Sequence, residues 1–286
     1  MMKLLTWNTH SLQEENSQQK LEWAVEGILK EMPDIIALQE VNQTVSAELA
    51  EGFLQEGRYL FPTKVPLRQD NYGAQVVHRL RQAGVPCYWA WLPIKLGYGQ
   101  FDEGVALLSL GRKITAAEAV PISISDAYDN WRTRAVLGVQ VEGMEDWFYS
   151  VHMGWWDDRE EPFLRQWEIL NGHLEKRRRN GTVWLMGDFN APDIFLNQSY
   201  TCIRAAGWVD THREAAKKER DFTVSGRIDG WRDRLPDENV KGLRLDYIFC
   251  SQKREILSSR ILFDGKNGPV VSDHFGLLIE GEEEGK

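Results

Sequence analysis

The sequence predicts an α/β protein built from two packed β-sheets with helices on their outer faces. Short apolar runs, the candidate strands, outnumber the amphipathic segments that would form helices. A single sheet of about ten strands tends to curl or split, so two packed sheets bury these runs better. No Ser/Gly/Pro-rich linker interrupts the 286 residues, and we expect one domain over residues 1–286.

The composition is that of a globular protein, with 42% hydrophobic and 27% charged residues. A formal net charge of -9 makes nucleic acid an unlikely partner, because phosphate backbones are bound mainly by Lys and Arg. The 12 tryptophans indicate a ligand surface with flat apolar walls. Three cysteines without metal-binding spacing, no signal peptide and no membrane-length apolar run predict a cytoplasmic protein with no obligate protein partner.

The first half of the chain is predicted to alternate strands and helices. Apolar runs bounded by turn residues indicate strands over residues 3–7, 34–41, 87–92 and 104–110. Apolar positions at helical spacing indicate helices over residues 18–31, 44–56 and 71–83. Residues 96–104 form a predicted Gly-rich loop that contains aromatic side chains.

Two strand pairs and the clearest helix are predicted further along the chain. The pairs join strand 104–110 to 114–122, and strand 134–141 to 147–152. The helix covers residues 160–179, and its basic end, residues 176–179, is interpreted as solvated rather than as a DNA patch. Its inward positions are predicted to be Leu164, Trp167, Ile169, Leu170 and Leu174. The remaining elements are a helix over 197–206 and strands over 243–251, 256–263 and 275–280.

One stretch, residues 182–192, places polar side chains at the end of a strand. The apolar run 183–186 predicts a buried strand, and Gly187 permits a tight turn where it ends. Asp188 and Asn190 follow two positions apart, so in extended backbone they point to the same side. By itself such a stretch is more often a simple polar turn.

Seven further positions share this setting with Asp188, because each ends, follows or opens a short apolar run. If the strands converge, these side chains meet. Carboxylates with amides suit a hard cation such as Mg²⁺ or Mn²⁺, whereas a structural zinc site would need thiolates or clustered imidazoles. The residues are Asn8, Glu40, His152, Asp188, Asn190, Asp246, Asp273 and His274.

Six short motifs occur in a characteristic order along the chain. They are residues 6–10 (TWNTH), 36–41 (IALQEV), 150–152 (SVH), 187–190 (GDFN), 245–248 (LDYI) and 272–274 (SDH). In this order they resemble the endonuclease/exonuclease/phosphatase superfamily, the group of DNase I, apurinic endonucleases and inositol-polyphosphate 5-phosphatases. The resemblance implies a DNase I-like four-layer α/β/β/α sandwich of two mixed sheets flanked by helices. It also implies a metal-dependent phosphoric ester hydrolase.

The resemblance implies a metal site for Mg²⁺ or Mn²⁺. Asn8, Glu40 and Asp273 match the metal-binding positions of the superfamily. A divalent cation would neutralise charge on a phosphoryl oxygen, which suits phosphate hydrolysis. Considered alone, Glu40 would more often belong to a buried ion pair.

The resemblance also implies the catalytic residues. Asp188 and Asn190 match the pair that positions the attacking water and the phosphate. Asp246 matches the carboxylate that orients His274, and an Asp behind a His fixes the tautomer of the ring. His152 matches a histidine that contacts the scissile phosphate, although a lone histidine is more often a satisfied core residue.

Arg132 and Arg134 are the candidate cations for the phosphate. They lie two positions apart at the start of a strand and therefore share a face. Guanidinium groups match the geometry of phosphate oxygens. The superfamily often has an arginine near this point, and Arg132 is the predicted contact. A salt bridge to one of the many acidic residues is the alternative.

Several loops resemble a smaller Gram-positive bacterial subgroup of the superfamily that includes maltose 6'-phosphate phosphatase. The stretches are residues 5–11, 38–43, 70–73, 102–106, 130–134, 152–156 and 226–231. Loops usually set substrate choice, so the resemblance implies a small phosphorylated sugar as the substrate. The predicted sugar contacts are Trp155, Trp156 and Trp231 by stacking, and Asp102, Glu103 and Asp229 by hydrogen bonds.

Three alternatives accompany this interpretation. The pair Trp155–Trp156 is equally compatible with loop-to-core packing. The same centre would also serve a Mg²⁺-dependent nuclease or phosphodiesterase that acts on nucleic acid. A binding protein on a hydrolase fold would normally lack a metal or histidine position, and the sequence retains all of them.

Overall fold

Two β-sheets form the centre of the protein in a computed structural model, which describes residues 1–194, 199–225 and 242–282. One sheet has seven strands and the other six, and two short strands form a small sheet of their own. The strands are β1 Met2–Asn8, β2 Ile35–Thr44, β3 Cys87–Gly97, β4 Phe101–Leu110, β5 Ile114–Pro121, β6 Ala135–Val141, β7 Trp147–His152, β8 Val183–Asp188, β9 Val209–Asp210, β10 Lys217–Lys218, β11 Val224–Ser225, β12 Gly242–Leu243, β13 Asp246–Cys250, β14 Ile256–Leu262 and β15 Gly276–Gly281.

The helices cover the outer faces of the two large sheets. The α-helices are α1 Ser17–Glu31, α2 Tyr72–Gln82, α3 Phe163–Asn180, α4 Ser199–Ala205 and α5 Thr211–Glu214, and 3-10 helices cover Ser11–Gln13 and Gly52–Gln55. Ile28 of α1 and Val77 of α2 pack on one sheet, and Leu170 of α3 packs on the other. Their apolar residues recur at helical spacing, so each helix buries one face.

The inner core lies between the two large sheets. Leu4 and Ile35 of the seven-stranded sheet share one apolar cluster with Phe148, Met186 and Ile248 of the six-stranded sheet. Their strand neighbours point outward to the helices, because successive side chains in a strand alternate between faces. Strands covered on both faces therefore read as unbroken apolar runs. The predicted four-layer sandwich is confirmed.

The strand order brings the polar strand ends together. The orders are β10-β14-β15-β1-β2-β4-β3 and β5-β6-β7-β8-β13-β9. β1 and β2 are parallel, as are β7 and β8, so the carboxyl ends within each pair lie at one edge. The register sets Asp188 between His152 on one side and Asp246 on the other. Gly187 has φ 154°, and a Cβ there would collide with the Val151 carbonyl group.

Two local predictions for the first half are wrong. Residues 44–56 were predicted to form a helix, but β2 continues to Thr44 and only Gly52–Gln55 is helical, as a 3-10 turn. The Thr44 backbone N–H donates to Asp70, a contact that an amphipathic pattern does not reveal. Strands β4 and β5 do not pair, because they belong to different sheets. The Gly-rich stretch is instead the turn of the β3–β4 hairpin.

The longest helix also differs from its prediction. It begins at Phe163, and Leu164 and Ile169 are exposed rather than inward. At its basic end Lys176 and Arg179 are exposed, as predicted, while Arg177 pairs with Glu118 and stacks on Trp147. Among the described residues, no helix combines the length and apolar character needed to cross a membrane.

Candidate active site

The converging strand ends open into a pocket of about 420 Å³. Most of the candidate site residues predicted from the sequence either line this pocket or contact a residue that lines it. The lining residues are His10, Glu40, Lys95, Gly97, Tyr98, Glu103, Trp131, Arg134, His152, Trp155, Asp188, Asn190, Asp273 and His274.

A buried Asp–His–Asp cluster lies at the pocket wall. His274 Nδ1 is 2.9 Å from Asp246 Oδ2, and its Nε2 is 3.8 Å from Asp188 Oδ2. Burial by itself would lower the pKa of His274, but the carboxylates of Asp246 and Asp188 raise it well above its usual value. Burial and the Asp246 charge raise the pKa of Asp188 to about 7, although His274 opposes this shift. The cluster can hold a proton at His274 and a carboxylate at Asp188.

His152 is the second buried histidine of the site. Its Nε2 lies 3.8 Å from Asp188 Oδ2 and 4.0 Å from Glu40 Oε1. Burial, followed by the charges of Arg134 and Lys95, lowers its pKa well below the usual value. The two histidines thus have opposite electrostatic settings, His152 neutral and His274 cationic.

Glu40 reaches the pocket through an irregularity in strand β2. The β2–β4 register shifts between Leu38 and Val41, and Glu40 has φ 51° in the left-handed region. Such a bulge redirects a side chain, at a conformational cost of roughly 1–3 kcal/mol. Asn8 Nδ2 donates to Glu40 Oε1 at 3.0 Å and to Asp188 Oδ2 at 3.1 Å. Asn8 therefore ties the two carboxylates together.

A second group of potential ligands surrounds Asp273. His10 Nδ1 is 2.8 Å from Glu14 Oε1 and 3.9 Å from Asp273 Oδ1, and Lys20 also pairs with Glu14. Burial opposes protonation of His10, but the hydrogen bond to Glu14 and the charge of Asp273 raise its pKa to about 9. His10 was not among the predicted site residues, and its place in the TWNTH motif was the available signal.

The residues present fit a divalent cation. Glu40 Oε2 is buried and has no hydrogen-bond partner in the described part of the chain. A buried carboxylate oxygen without a partner is costly, and burial, followed by the charge of Glu103, raises the pKa of Glu40. A hard cation would satisfy that oxygen. Glu40 and Asp273 both face the pocket, with Asn8 behind Glu40.

Asn190 is held in place by its own loop. Its backbone N–H donates to Asp188 Oδ1 at 2.8 Å, and its Nδ2 donates to the Met153 carbonyl oxygen at 3.1 Å. Its φ of 47° lies in the left-handed region, which asparagine tolerates better than most residues. The last residue of β8, Asp188, and the loop residue Asn190 therefore both face the pocket.

The structure places Arg134 rather than Arg132 at the pocket wall. Arg132 pairs with Asp158 at 2.9 Å and Glu160 at 3.0 Å, and stacks on Trp131. Arg134 is buried and lines the pocket. Arg132 therefore forms ion pairs with acidic residues, which was the alternative to its predicted contact with phosphate.

Lys95 is a pocket residue that the sequence did not indicate. It is buried in β3, and its Nζ is 2.9 Å from Glu103 Oε1. Burial and the charge of Arg134 lower its pKa, while Glu103 opposes the shift. Lysine in an apolar strand usually points to solvent, so no local pattern marks this one as inward.

An aromatic rim surrounds the pocket mouth. Trp155 and Trp131 pack with ring centroids 5.3 Å apart, and Tyr98 stands exposed at the tip of the β3–β4 hairpin. Glu103 lines the pocket, whereas Asp102 bonds Tyr128 and Gln43 away from it. Trp156 does not line the pocket. Asp229 and Trp231, together with the rest of the 226–231 motif, lie outside the described residues.

The fold and this cluster define a class of protein. The chain matches the Endonuclease/Exonuclease/phosphatase family over residues 5–274, and it belongs to this family of phosphoric ester hydrolases. No curated protein matches the chain significantly.

Among solved structures, an endonuclease/exonuclease/phosphatase family protein from Leptotrichia buccalis C-1013-b is 28% identical, with a TM-score of 0.84 over 99% of this chain and 100% of that one. The mannosyl-6-phosphatase of Bacteroides thetaiotaomicron VPI-5482 is 16% identical, with a TM-score of 0.65 over 99% and 100%. The 3' phosphatase NExo from Neisseria, bound to a product DNA hairpin, is 19% identical, with a TM-score of 0.61 over 99% and 100%. The last two show a shared fold.

Proposed function

We propose that this protein is a metal-dependent phosphatase of a small phosphorylated sugar, with maltose 6'-phosphate as the leading candidate. The observation that carries the proposal is the position of the Asp188–His274–Asp246 cluster in a pocket with an aromatic rim. Phosphate ester hydrolysis needs a positioned water and a stabilised phosphoryl charge. Sugar rings pack well on flat aromatic side chains.

The chemistry is assigned to the residues of the cluster. Asp246 fixes the His274 ring through Nδ1, so that Nε2 faces the phosphoryl group with its proton. Asp188 orients the attacking water and accepts a proton from it, a role suited to a carboxylate whose pKa is about 7. Asn190 and His152 contact the phosphoryl oxygens.

Glu40 and Asp273 are the residues we assign to the cation, Mg²⁺ or Mn²⁺, while Asn8 keeps Glu40 in position. When bound, the cation supplies charge neutralisation at a phosphoryl oxygen. Metal-binding carboxylates must be ionised, so Glu40→Gln is expected to weaken metal binding sharply. A calorimetric titration with Mn²⁺ measures this directly, without turnover.

Sugar recognition is assigned to the pocket mouth. Trp155 and Trp131 offer adjoining ring surfaces, and Tyr98 offers a third from the hairpin tip. Glu103 lies deeper in the pocket and is buried. The leaving group thus meets aromatic surfaces at the rim, while the phosphate lies among the charged residues below.

A nuclease or phosphodiesterase is the alternative function. The fold is shared with a 3' phosphatase that binds DNA, which keeps this alternative open to test. The net charge of -9 favours a small substrate, because duplex DNA is bound by surfaces rich in Lys and Arg.

A phosphate-release assay on sugar phosphates and a strand-cleavage assay on DNA together test both functions, because incision of a duplex releases no inorganic phosphate. The purified protein with Mg²⁺ is given maltose 6'-phosphate, other sugar phosphates and an abasic DNA duplex at one salt concentration, and kcat/KM is compared. We expect sugar phosphates to be preferred, EDTA to abolish activity and Mg²⁺ or Mn²⁺ to restore it. Asp188→Ala is the control for contaminating phosphatases. Efficient DNA cleavage without sugar phosphate turnover would replace this proposal with the nuclease, and full activity in EDTA would refute the metal.

A further inference from the structure

Lys95 is an ammonium group buried in the wall of the pocket. Its Nζ contacts Glu103 Oε1 at 2.9 Å and donates to the Trp131 carbonyl oxygen at 3.0 Å. Gly97 leaves room for the Glu103 carboxylate, because a Cβ at that position would collide with it. Burying a charge is costly unless it is paired. The hairpin therefore holds Lys95 facing the pocket, and these two contacts use two of its three N–H donors.

Arg134 brings a second buried cation to the same point. Its guanidinium donates to the Trp131 carbonyl oxygen at 2.7 Å, so Lys95 and Arg134 share one acceptor. Its Nε is buried and has no hydrogen-bond partner in the described ranges. Two neighbouring like charges repel each other, and Glu103 is bonded to only one of them. An anion in the pocket beside the two cations would offset this repulsion.

The two buried cations restrict which anion the pocket favours. His152 and Asp188 also line it, so an ester at the catalytic residues has its phosphoryl group beside the two cations. A phosphomonoester presents three non-bridging oxygens and close to two negative charges at neutral pH. A phosphodiester carries one charge and two non-bridging oxygens, so it matches the two cations Lys95 and Arg134 less well.

We propose that Lys95, together with Arg134, binds the terminal phosphoryl group and makes the site selective for phosphomonoesters over phosphodiesters. The inference rests on the proposed phosphatase function and names residues that determine its substrate class. Glu103 is a positioning residue in this scheme, since it holds Lys95 rather than the substrate.

The test compares a monoester with a diester that has the same leaving group. Lys95→Met alone strands the buried Glu103 carboxylate, so the working variant is the double substitution Lys95→Met/Glu103→Gln. Its kcat/KM with Mg²⁺ is measured for p-nitrophenyl phosphate and bis(p-nitrophenyl) phosphate. Lys217→Met, at an exposed position in β10, is the matched control. Arg134→Met is measured in the same way.

We expect the double variant and Arg134→Met to lower kcat/KM for the monoester by about 10-fold or more, the scale of a lost charge-assisted hydrogen bond. The diester rate is expected to change by less than about 3-fold, so the preference for the monoester falls. Equal losses on both esters, or an unchanged monoester rate, would overturn the inference and leave Lys95 as a structural ion pair.

Binding of inorganic phosphate gives a readout that does not need turnover. Calorimetric titration in the presence of Mg²⁺ is expected to show about 10-fold weaker phosphate binding in the double variant and no change in Lys217→Met. Unchanged phosphate affinity in the double variant would refute the inference whatever the enzyme hydrolyses. Weakened phosphate binding in a protein that hydrolyses no sugar phosphate would support the inference and contradict the proposed function.

Discussion

Two clusters of buried charge meet at the start of strand β13, and they are bonded very differently. In the first, Arg244 donates to Asp193 and Asp210 with bonds of 2.7–3.1 Å, and the Tyr200 hydroxyl donates to Asp210 at 2.8 Å. In the second, the candidate active site, Glu40 Oε2 and Asp246 Oδ1 have no hydrogen-bond partner among the residues described.

The electrostatics of the two clusters differ accordingly. Burial opposes ionisation of Asp210, but Arg244 reverses this and holds its pKa below the usual value. Asp188 is bonded to no arginine in the described part of the chain, and although His274 lies 3.8 Å away, burial raises the pKa of Asp188 to about 7. Positive φ values at Glu40 and Asn190 add backbone strain on the active-site side. The cluster around Arg244 is a closed network, in which removing one charged partner would be costly, whereas the open network around Asp188 has the unpaired groups and strain that are typical of ligand sites.

The largest expected effect is on the closed network. Arg244→Met leaves two carboxylates without their buried cation, so the free energy of unfolding should fall by about 3–5 kcal/mol. Urea denaturation followed by circular dichroism measures this change. Arg79→Met, which breaks the pair with Glu22 at the surface, is the control and should cost no more than about 1 kcal/mol. Equal losses in the free energy of unfolding for both variants would show that the Arg244 network contributes no more to stability than a surface ion pair.

The open network should respond in the opposite way. We expect His274→Ala and Asp188→Ala each to lower kcat on the true substrate by about 10²-fold or more. Asp188→Ala should cost little stability, whereas His274→Ala leaves the buried Asp246 carboxylate without its partner and should also lower the free energy of unfolding. Steady-state kinetics and the thermal midpoint, measured on the same samples, separate the two effects. His173→Ala, at a histidine on the exposed side of α3, is the control. Near-wild-type kcat in either variant would remove that residue from the mechanism.

The pH dependence of stability tests the closed network through His212, which lies beside it on helix α5. Its ring contacts Ser259 at 2.8 Å and Asp221 at 3.0 Å. Burial, aided by the charge of Arg244, lowers its pKa although Asp221 and Asp210 oppose the shift. The unfolded state therefore binds the proton more readily, and stability is lost as pH falls below about 6.5 toward the lowered folded pKa.

The measurement for His212 is the pH dependence of the free energy of unfolding between pH 7.5 and pH 5, a range around the usual pKa of histidine, about 6.5. His212→Asn should reduce the slope in that window relative to wild type. A variant with the wild-type slope would show that other groups dominate the acid sensitivity of the protein.

The smallest expected effect concerns the aromatic rim. Trp155→Ala should raise KM for a sugar phosphate by roughly 3- to 10-fold and leave kcat nearly unchanged, if stacking contributes about 1 kcal/mol of ground-state binding. Inorganic phosphate affinity should not change. Phe53→Ala, at an exposed aromatic residue in the 3-10 turn Gly52–Gln55, is the control. A large fall in kcat with constant KM would assign Trp155 to the geometry of the site instead.

Much of this protein can be predicted from local sequence. Buried strands such as Val183–Asp188 are short apolar runs, and the outer helices carry apolar residues on one face, so burial predicts two packed sheets with helices outside. The DNase I-like arrangement of these four layers was predicted from the family resemblance. Six of the eight polar residues at the strand ends line one pocket, and the other two, Asn8 and Asp246, bond to residues that line it. Strand ends converge in this way because neighbouring parallel strands share a direction.

Only the tertiary structure decided which polar groups are paired. Arg132 and Arg134 look alike in sequence, but Asp158 and Glu160 fold back onto Arg132 and leave Arg134 at the pocket. Lys95 is inward because the β3–β4 hairpin brings Glu103 beside it. Pairing of charges depends on contacts between residues far apart in the chain, and local patterns of polarity carry no information about those distances.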